Sequence, residues 1–342
     1  MEMHVLSERF RGFAAKECKG SSSLYEHLAG NIADDATLLR LAAQSRMGQP
    51  VPNLFLGAVH YLLLEGVDHP LAEYYPSIVR EPRESSTAIH RFKDFCKQYE
   101  QEIIQIIQTK LVQTNEVSRC AYLYPSFCYI SKLTERPLAL IEIGTSAGLQ
   151  LLWDKYSYSY VTDGPKYGNE SAVLEIASEL RGDKSPFLFK RSPPVASRIG
   201  IDLHVNDLAE PEDYLWLKAL IWPEHQERLS RFEKAASCLE DESLELLEGD
   251  GVALLPEIAS NIRKDSTLCV FHTHVANQMT HEARIALEQH FRAIGKEREV
   301  FHLYNNMWDL HLLHLDYYKD GMEYKETLAQ IDGHGRSFQW LL

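Results

Sequence analysis

The residues with the clearest potential for chemistry lie in the segment 138–152, which reads LALIEIGTSAGLQLL. An apolar run reaches Glu142, and a series of small residues follows it: Gly144, Thr145, Ser146 and Gly148. This order predicts a buried strand, a tight turn and a helix. In an open α/β sheet, ligands bind at such a turn, because the helix N-terminus offers free N–H groups and glycines let a ligand approach the backbone.

Two chemistries fit this turn. A nucleoside cofactor could lie against it, with Glu142 as one of the cofactor ligands. Alternatively, residues 144–148 form Gly-x-Ser-x-Gly, the nucleophile elbow of serine hydrolases, with Ser146 as the nucleophile. The acid and the histidine would then come from a later set: Asp250, Asp309, His311, His314 and His334. A hydrolase elbow normally follows several strands, whereas this one follows the first recognisable strand, so we favour the cofactor.

A nucleoside cofactor also needs an acid at the end of the second strand, which accepts hydrogen bonds from the ribose hydroxyls. Asp202 closes an apolar run, whereas Asp163 lies closer to the glycine turn, at the more usual spacing. We favour Asp202 because of its position at a strand end and keep Asp163 as the alternative. Gly249 and Asp250 take the corresponding place on a third strand. Each of these acids could instead cap a helix or a turn.

The glycine spacing narrows the choice of cofactor. Dinucleotide-binding loops follow the pattern G-x-G-x-x-G, but here Ser146 occupies the middle position and no third glycine follows at the right offset. The phosphate-binding motif G-x-x-x-x-G-K-[ST] does not occur in the sequence. S-adenosylmethionine has no pyrophosphate and tolerates a looser loop. We therefore predict S-adenosylmethionine as the cofactor.

Two histidines follow another apolar run. Residues i and i+2 of a strand point to the same face, so His272 and His274 are candidate acid/base groups or metal ligands. No third ligand follows at a motif spacing, and we expect no metal site. The alternative is one buried, hydrogen-bonded histidine and one that lines a pocket. A further candidate set lies on an earlier helix, where a local ion pair is the other interpretation: Asn115, Glu116 and Arg119.

The elements that would carry these residues fall into two parts. Residues 1–135 have helical periodicity, which predicts an all-helical domain. Pro125 should kink or end its last helix. Over residues 136–342, strands alternate with helices, and the tail reads as three strands separated by glycine turns. This second part is therefore predicted to be a Rossmann-like α/β domain, with a mixed sheet, helices on both faces and a C-terminal antiparallel hairpin.

Composition limits the partners. The net charge of −14 opposes nucleic-acid binding, which depends on clustered Lys and Arg, so we expect a small-molecule or protein substrate. None of the six cysteines forms a C-x-x-C pair, which is typical of free thiols in a reducing compartment. No export signal and no bilayer-length apolar stretch is recognisable. We therefore expect a cytoplasmic protein without a membrane partner, and the sequence leaves its oligomeric state open.

A set of motifs runs along nearly the whole chain: Gln49-x-x-Pro52-Asn53, Asn115-Glu116-Val117-x-Arg119, Glu142-Ile-Gly144-x-Ser146-Ala-Gly148, Arg198-x-Gly200-x-Asp202, Trp222-Pro223-Glu224, Gly249-Asp250 and Phe271-His272-Thr-x-Val275. Through these motifs the chain resembles DUF2332, a bacterial family of uncharacterised proteins. Its members look like S-adenosylmethionine-dependent methyltransferases with a helical N-terminal domain. One position departs from the family, which tends to have Asn-Pro where this chain has His204-Val205.

The resemblance implies a methyltransferase, and the motifs then divide by role. The turn from Glu142 to Gly148 would hold the amino-acid end of the cofactor. Asp202 or Asp163 would hold the ribose, and Asp250 the adenine edge.

The remaining motifs would serve the methyl acceptor. His272 or His274 would orient or deprotonate it, and the helical domain would cover the site through Asn115, Glu116 and Arg119. A noncatalytic module that binds a nucleoside is the other alternative that we retain.

Overall fold

The computed structural model describes residues 2–113, 115–161, 163–239 and 242–342. These residues form a mixed α/β structure with a nine-stranded, mostly parallel main sheet. The α/β class expected from the sequence is thereby confirmed. Among the described residues, no helix is long and apolar enough to cross a membrane.

Eleven α-helices lie in the described part of the chain. Side-chain oxygens of Ser22 and Asp35 accept hydrogen bonds from the first backbone N–H groups of two of them, which is the usual reason for a helix to begin there. The helices are α1 Met3–Phe13, α2 Ser23–Ile32, α3 Ala36–Ala42, α4 Val51–Leu64, α5 Ile89–Gln98, α6 Glu100–Thr109, α7 Cys120–Thr134, α8 Pro211–Ala219, α9 Gln226–Ser237, α10 Gly251–Asn261 and α11 His281–Gly295.

The strands form two sheets. A small one has the order β3-β2-β4, and the main one has the order β5-β12-β11-β10-β9-β8-β1-β6-β7. The strands are β1 Leu138–Ile143, β2 Ser157–Ser159, β3 Lys166–Gly168, β4 Glu175–Ala177, β5 Glu179–Arg181, β6 Val195–Asp202, β7 Glu245–Glu248, β8 Thr267–His272, β9 Val300–Asn305, β10 Leu312–Lys319, β11 Met322–Ile331 and β12 Ser337–Trp340.

The half of the main sheet from β9 to β7 is parallel throughout. Strands β1, β8 and β9 are buried along their whole length, as expected for apolar strands covered by helices on both faces. Along the chain, β6 and β7 are added on one side of β1, and β8 and β9 on the other. The strand order therefore reverses between β1 and β8.

The other half of the main sheet is largely antiparallel. Strands β9, β10, β11 and β12 pair antiparallel in succession, and β5 adds a parallel edge strand beside β12. Partly buried and buried residues alternate along β10, which is the two-residue period of a strand with unequal faces. Gly321 has a φ of +75° in the turn between β10 and β11, a conformation that glycine adopts without strain.

Helices cover both faces of the parallel half. On one face, Leu255 of α10 and Leu287 of α11 join a core that includes Ile141 of β1. On the other face, Phe127 of α7 packs edge-on against Phe271 of β8, with ring centroids 5.3 Å apart. Alternation along β1 places Glu142 on the face opposite Ile141, which is the face covered by α7.

The prediction that Pro125 kinks or ends a helix is wrong in its stronger form, because α7 continues to Thr134 with Pro125 inside it. Proline has no N–H for the carbonyl four residues earlier, which belongs to Ala121. The Tyr160 hydroxyl donates to that carbonyl at 2.9 Å. A side-chain donor thus satisfies the acceptor that proline leaves free, and the helix persists.

The chain divides into two compact units: Met1–Thr114 with Asp207–Ser230, and Asn115–Asn206 with Arg231–Leu342. These units do not coincide with the two domains predicted from the sequence. The segment with α7 belongs to the second unit because its aromatic side chains pack against the sheet. The segment with α8 belongs to the first unit, where Trp216 is part of the helical core.

Candidate functional site

Polar side chains stand at the carboxyl ends of four neighbouring parallel strands. Glu142 lies near the end of β1, and Asp202, His272 and Asn305 are the last residues of β6, β8 and β9. In open α/β sheets, ligands bind at these strand ends where the strand order reverses. We call these four residues, with the turns that follow them, the polar edge.

The glycine turn after β1 is packed against protein. A Cβ added to Gly144 would lie 2.7 Å from Cγ2 of Val275, and one added to Gly148 would lie 2.7 Å from Cδ1 of Leu244. Close packing against Val275 therefore requires glycine at 144, and a φ of +76° favours glycine at 148. The predicted α-helix after the turn is a 3-10 helix over Leu149–Lys155, so no α-helix begins directly at this turn.

Asp202 connects β6 to the glycine turn. Its Oδ2 accepts a hydrogen bond from the Ser146 backbone N–H at 2.7 Å, and its Oδ1 accepts one from the His204 N–H at 3.3 Å. Burial raises the pKa of this carboxyl above its usual value. Asp163 is exposed in the segment between β2 and β3 of the small sheet. The structure therefore places Asp202, and not Asp163, on the strand next to β1.

Gly249 and Asp250 follow β7, the edge strand beside β6. Asp250 Oδ1 accepts hydrogen bonds from the backbone N–H groups of Val252 at 2.9 Å and Ala253 at 3.4 Å, and so caps α10. The Gly249 N–H donates to the Asp202 carbonyl at 2.8 Å. Asp250 thus has the helix-capping contacts that the sequence left open as an alternative.

Ser146 has a φ of +53°, the kind of strained backbone found at a nucleophile elbow, but only 4% of the residue is exposed. Its hydroxyl accepts a hydrogen bond from Asn206 Nδ2 at 3.1 Å. Within the described chain no histidine hydrogen-bonds to this hydroxyl, and His314 pairs instead with Asp309 at 2.9 Å. The contacts of a catalytic triad are therefore not formed by the described residues.

Glu142 is a buried carboxyl, with 2% of the residue exposed. Its Oε2 accepts a hydrogen bond from the Thr145 hydroxyl at 2.7 Å. Burial raises the pKa of Glu142 to about 8, the charge of Asp202 adds to this, and the Thr145 hydrogen bond and the charge of Arg119 oppose it. The carboxyl therefore binds a proton more readily than an exposed glutamate does.

The two predicted histidines do not share a face. His272 is fully buried, and its Nε2 lies 3.0 Å from Nε2 of His302 on β9, so one ring donates and the other accepts. Burial lowers the pKa of His272 to about 3 and that of His302 below its usual value. His274 lies beyond the end of β8 with a φ of +61°, where the alternation of a strand no longer applies.

The buried histidine pair should make the protein less stable in acid. Because both folded-state pKa values lie below the usual 6.5, the unfolded chain takes up these protons first, and stability is lost as pH falls from 6.5 towards 3. We expect the variant His272→Phe/His302→Phe to reduce the slope of unfolding free energy against pH by up to about 1.4 kcal/mol per pH unit for each proton. Urea denaturation over this pH range measures the slope.

The matched control for this prediction is His4→Gln, which removes an exposed histidine of α1 and should keep the wild-type slope. A wild-type slope in the double variant as well would show that the pair does not resist protonation in the folded state.

His274 is held by two asparagines that follow the apolar part of β9. Its backbone N–H donates to Asn305 Oδ1 at 2.8 Å, and its Nδ1 accepts from Asn306 Nδ2 at 2.9 Å. Burial lowers the pKa of His274 to about 3, and the charge of Arg119 contributes. Sequence reasoning missed both asparagines, although a polar residue at the end of an apolar run is the signal that had singled out Asp202.

Arg119 lies in a 3-10 turn, Val117–Arg119, directly before α7. Its Nε donates to the Gly333 carbonyl at 3.0 Å, and one terminal nitrogen donates to the Thr273 hydroxyl at 3.4 Å. Thr273 in turn donates to Gln150 Oε1 at 3.0 Å. Arg119 thus reaches the turn after β8, which brings it to the polar edge.

Glu116 and Asn115 precede this 3-10 turn. Glu116 is buried, its Oε1 accepts from the Ser118 N–H at 3.2 Å, and its Oε2 lies 3.6 Å from His334 Nδ1. Nδ2 of Asn115 is buried and has no hydrogen-bond partner among the described residues. The structure thus brings Glu116 and Arg119 to one neighbouring segment, the turn 332–335 between β11 and β12.

Two cavities of the second unit lie away from the polar edge. One, of about 280 Å³, is lined by Ser197, Asn261 and Ser266, and the other, of about 610 Å³, by residues that include Asp154 and Arg191. In the described ranges, no group of three or more His, Cys, Asp or Glu side chains is arranged to hold a metal ion. The candidate site therefore rests on the polar side chains at the strand ends.

Fold and site together define an α/β protein with a cluster of buried polar groups at the carboxyl ends of its parallel strands. The chain belongs to the family DUF2332, described as an uncharacterized protein conserved in bacteria, which residues 7–340 match. No curated protein and no solved structure matches the chain.

Proposed function

We propose that this protein is an S-adenosylmethionine-dependent methyltransferase and that its second unit is a Rossmann-like domain that binds the cofactor at the polar edge. The observation that carries the proposal is the place of Asp202. It ends the strand beside β1, and its carboxylate contacts the turn that follows β1. In Rossmann-like folds, an acid at this place accepts hydrogen bonds from the ribose hydroxyls.

The strand order of the parallel half supports this proposal. When its five strands are numbered along the chain, the order β7-β6-β1-β8-β9 reads 3-2-1-4-5. Doubly wound nucleotide-binding sheets contain this order, and their ligands lie where it reverses. The glycine turn with Thr145 and Ser146 follows β1 at that reversal.

The side chains at the reversal fit a nucleoside. A carboxylate oxygen can accept more than one hydrogen bond, so the oxygens of Asp202 that accept from backbone N–H groups can also accept from ribose hydroxyls. Glu142 and the glycine turn would hold the amino-acid end of the cofactor, and Gly249 and Asp250 would lie near the adenine edge.

The bound cofactor would supply the methyl group, and the protein would supply position. Alignment of two reactants accounts for much of the acceleration in a transfer of this kind, so a strong base is not required. Arg119 and His274 would orient the acceptor, a small molecule or a protein. His272 is bonded to His302 in the core and would position the end of β8 without contact with the acceptor.

Asp202→Asn tests the proposal because it removes the carboxylate charge and one acceptor atom while it preserves size. We expect the wild-type protein to bind S-adenosylmethionine and S-adenosylhomocysteine with micromolar affinity. Asp202→Asn should weaken both by about ten-fold or more, as expected for a lost hydrogen bond to a charged group. Calorimetric titration measures the affinity, and the melting temperature of each variant reports on its fold.

Asp265→Asn is the matched control, because Asp265 is exposed before the first residue of β8, at the opposite edge of the sheet. It should bind as the wild type does. If the wild-type protein binds neither compound, the proposal is overturned. If Asp202→Asn binds them with unchanged affinity, Asp202 does not bind the ribose.

A further inference from the structure

The orientation of the Asn306 amide fixes the position of the His274 proton. Asn306 Oδ1 accepts from the His311 backbone N–H at 3.1 Å, so the opposite amide atom, Nδ2, faces His274 Nδ1 at 2.9 Å and donates to it. Because Nδ1 accepts, the proton of the neutral ring lies on Nε2. His274 therefore presents Nε2–H as a donor.

A hydrogen bond fixes the orientation of the Asn305 amide in the same way. Its Oδ1 accepts from the His274 N–H, so its Nδ2 is the free end, a donor with two hydrogens. Asn305 is completely buried. Neither its Nδ2 nor His274 Nε2 has a hydrogen-bond partner of good geometry among the described residues, although the Tyr122 hydroxyl lies close enough to Asn305 for the amide to affect its pKa.

Arg119 adds a positive charge to these two donors. Its guanidinium reaches Thr273, the residue before His274, and its charge is one of the causes that lower the pKa of His274, whereas the charge of Asp332 raises it. A buried donor without an acceptor is costly, and native structures rarely keep one that nothing satisfies. We call Arg119, His274 and Asn305 the donor cluster.

We propose that the donor cluster binds the carboxylate of a small-molecule methyl acceptor. His274 Nε2 and Asn305 Nδ2 are donors, so the group that satisfies them must bring acceptors, and a carboxylate brings two oxygens and a negative charge that the nearby positive charge of Arg119 favours. Methyl transfer to this acid rests on the proposed function, whereas carboxylate binding can be measured without the cofactor. The inference thus assigns the substrate class, an organic acid, and adds Asn305 as a specificity-determining residue.

The test titrates the full-length protein with benzoate, acetate and succinate, each beside its uncharged amide. We expect saturable binding of at least one carboxylate and none of the amides. Asn305→Asp should weaken binding about ten-fold or more, because it keeps the acceptor for the His274 N–H but replaces the donor by a charged oxygen. His274→Phe removes the Nε2–H donor without adding a buried charge and should weaken binding as well.

Asn261→Asp is the matched control, because it adds the same charge at an exposed position of α10 and should leave carboxylate binding unchanged. Absence of saturable binding, or equal binding of acids and amides, overturns the proposal. Wild-type affinity in both Asn305→Asp and His274→Phe also overturns it.

A second titration separates the acceptor from the cofactor, whose amino-acid end also carries a carboxylate. S-adenosylhomocysteine has this group, and 5′-methylthioadenosine lacks it. We expect Asn305→Asp to bind both compounds as the wild type does. If Asn305→Asp loses affinity for S-adenosylhomocysteine alone, the donor cluster binds the carboxylate of the cofactor. The proposal that it binds the methyl acceptor would then be overturned. Carboxylate binding without any nucleoside binding would overturn the methyltransferase and leave the acid site in place.

Discussion

Gly335→Ala should destabilise the protein by about 4 kcal/mol or more, the range reached only when a substitution cannot be accommodated. A Cβ at this position would lie 2.2 Å from the carbonyl oxygen of Ser118 and 2.9 Å from the backbone nitrogen of Arg119. Backbone atoms cannot rotate away as a side chain can. The turn 332–335 would therefore have to separate from the 3-10 turn before α7.

Gly321→Ala is the matched control for this prediction. Gly321 has a φ of +75°, close to the +73° of Gly335, but its added Cβ would meet no atom within 4 Å. We expect it to cost about 1 kcal/mol, the strain of a left-handed conformation alone. Urea denaturation of both variants measures how much the close approach to Ser118 and Arg119 costs. Equal losses of unfolding free energy in the two variants would contradict the prediction.

Gly335→Ala should also weaken carboxylate binding at the donor cluster. Arg119 donates to the Gly333 carbonyl, so a displaced 332–335 turn removes a contact that orients the guanidinium. Any Gly335→Ala protein that remains folded should therefore bind carboxylates more weakly than Gly321→Ala does. The stability of this turn and the proposed acid site are linked in this way.

The main sheet follows from local patterns in the sequence. β1, β6, β8 and β9 contain apolar runs that end in polar residues, and the residues that mark the strand ends are also candidate site residues at Glu142, Asp202 and His272. The tail strands could be located because glycine turns interrupt them. Tertiary contacts, in contrast, decide whether a proline is tolerated, as the Tyr160 hydroxyl shows in α7.

The candidate site was only partly predictable, because its donors come from distant turns. The spacing of His272 and His274 indicated a shared face, but a left-handed residue at 274 turns the chain and directs the two rings to different partners. The glycines of the first turn looked like space for a ligand, whereas Val275 and Leu244 occupy the directions of their missing side chains. Sequence patterns report local conformation and do not report which segment packs against a turn.

The boundary between the two units could not be located from the sequence for a related reason. Helical periodicity extends through the segment with α7, and sequence alone does not tell which core a helix joins. The aromatic side chains of α7 stack against the sheet unit, with Phe127 and Trp153 centroids 4.7 Å apart. Arg119, next to α7, therefore belongs to the unit that contains the polar edge.

Glu142→Gln should stabilise the protein relative to the wild type at high pH but not at low pH. The folded-state pKa of Glu142 is raised to about 8 from the usual 4.5, so its contribution is fully present below 4.5 and is lost as pH rises towards 8. Above 8 the wild-type protein buries a charge, whereas glutamine is neutral and its amide oxygen can still accept from Thr145. We expect the variant to exceed the wild type by on the order of a few kcal/mol near pH 9 and to match or fall below it near pH 5.

Urea denaturation of both proteins at the two pH values measures this difference, and Glu245→Gln on the exposed side of β7 is the matched control. The control removes an exposed carboxylate from the edge strand β7, where burial has no effect, so its difference from the wild type should not change with pH. A constant difference for Glu142→Gln would mean that Arg119 keeps the buried carboxyl ionised. Glu142 and an acidic ligand would then compete for the charge of Arg119, and its attraction for the ligand would be weaker.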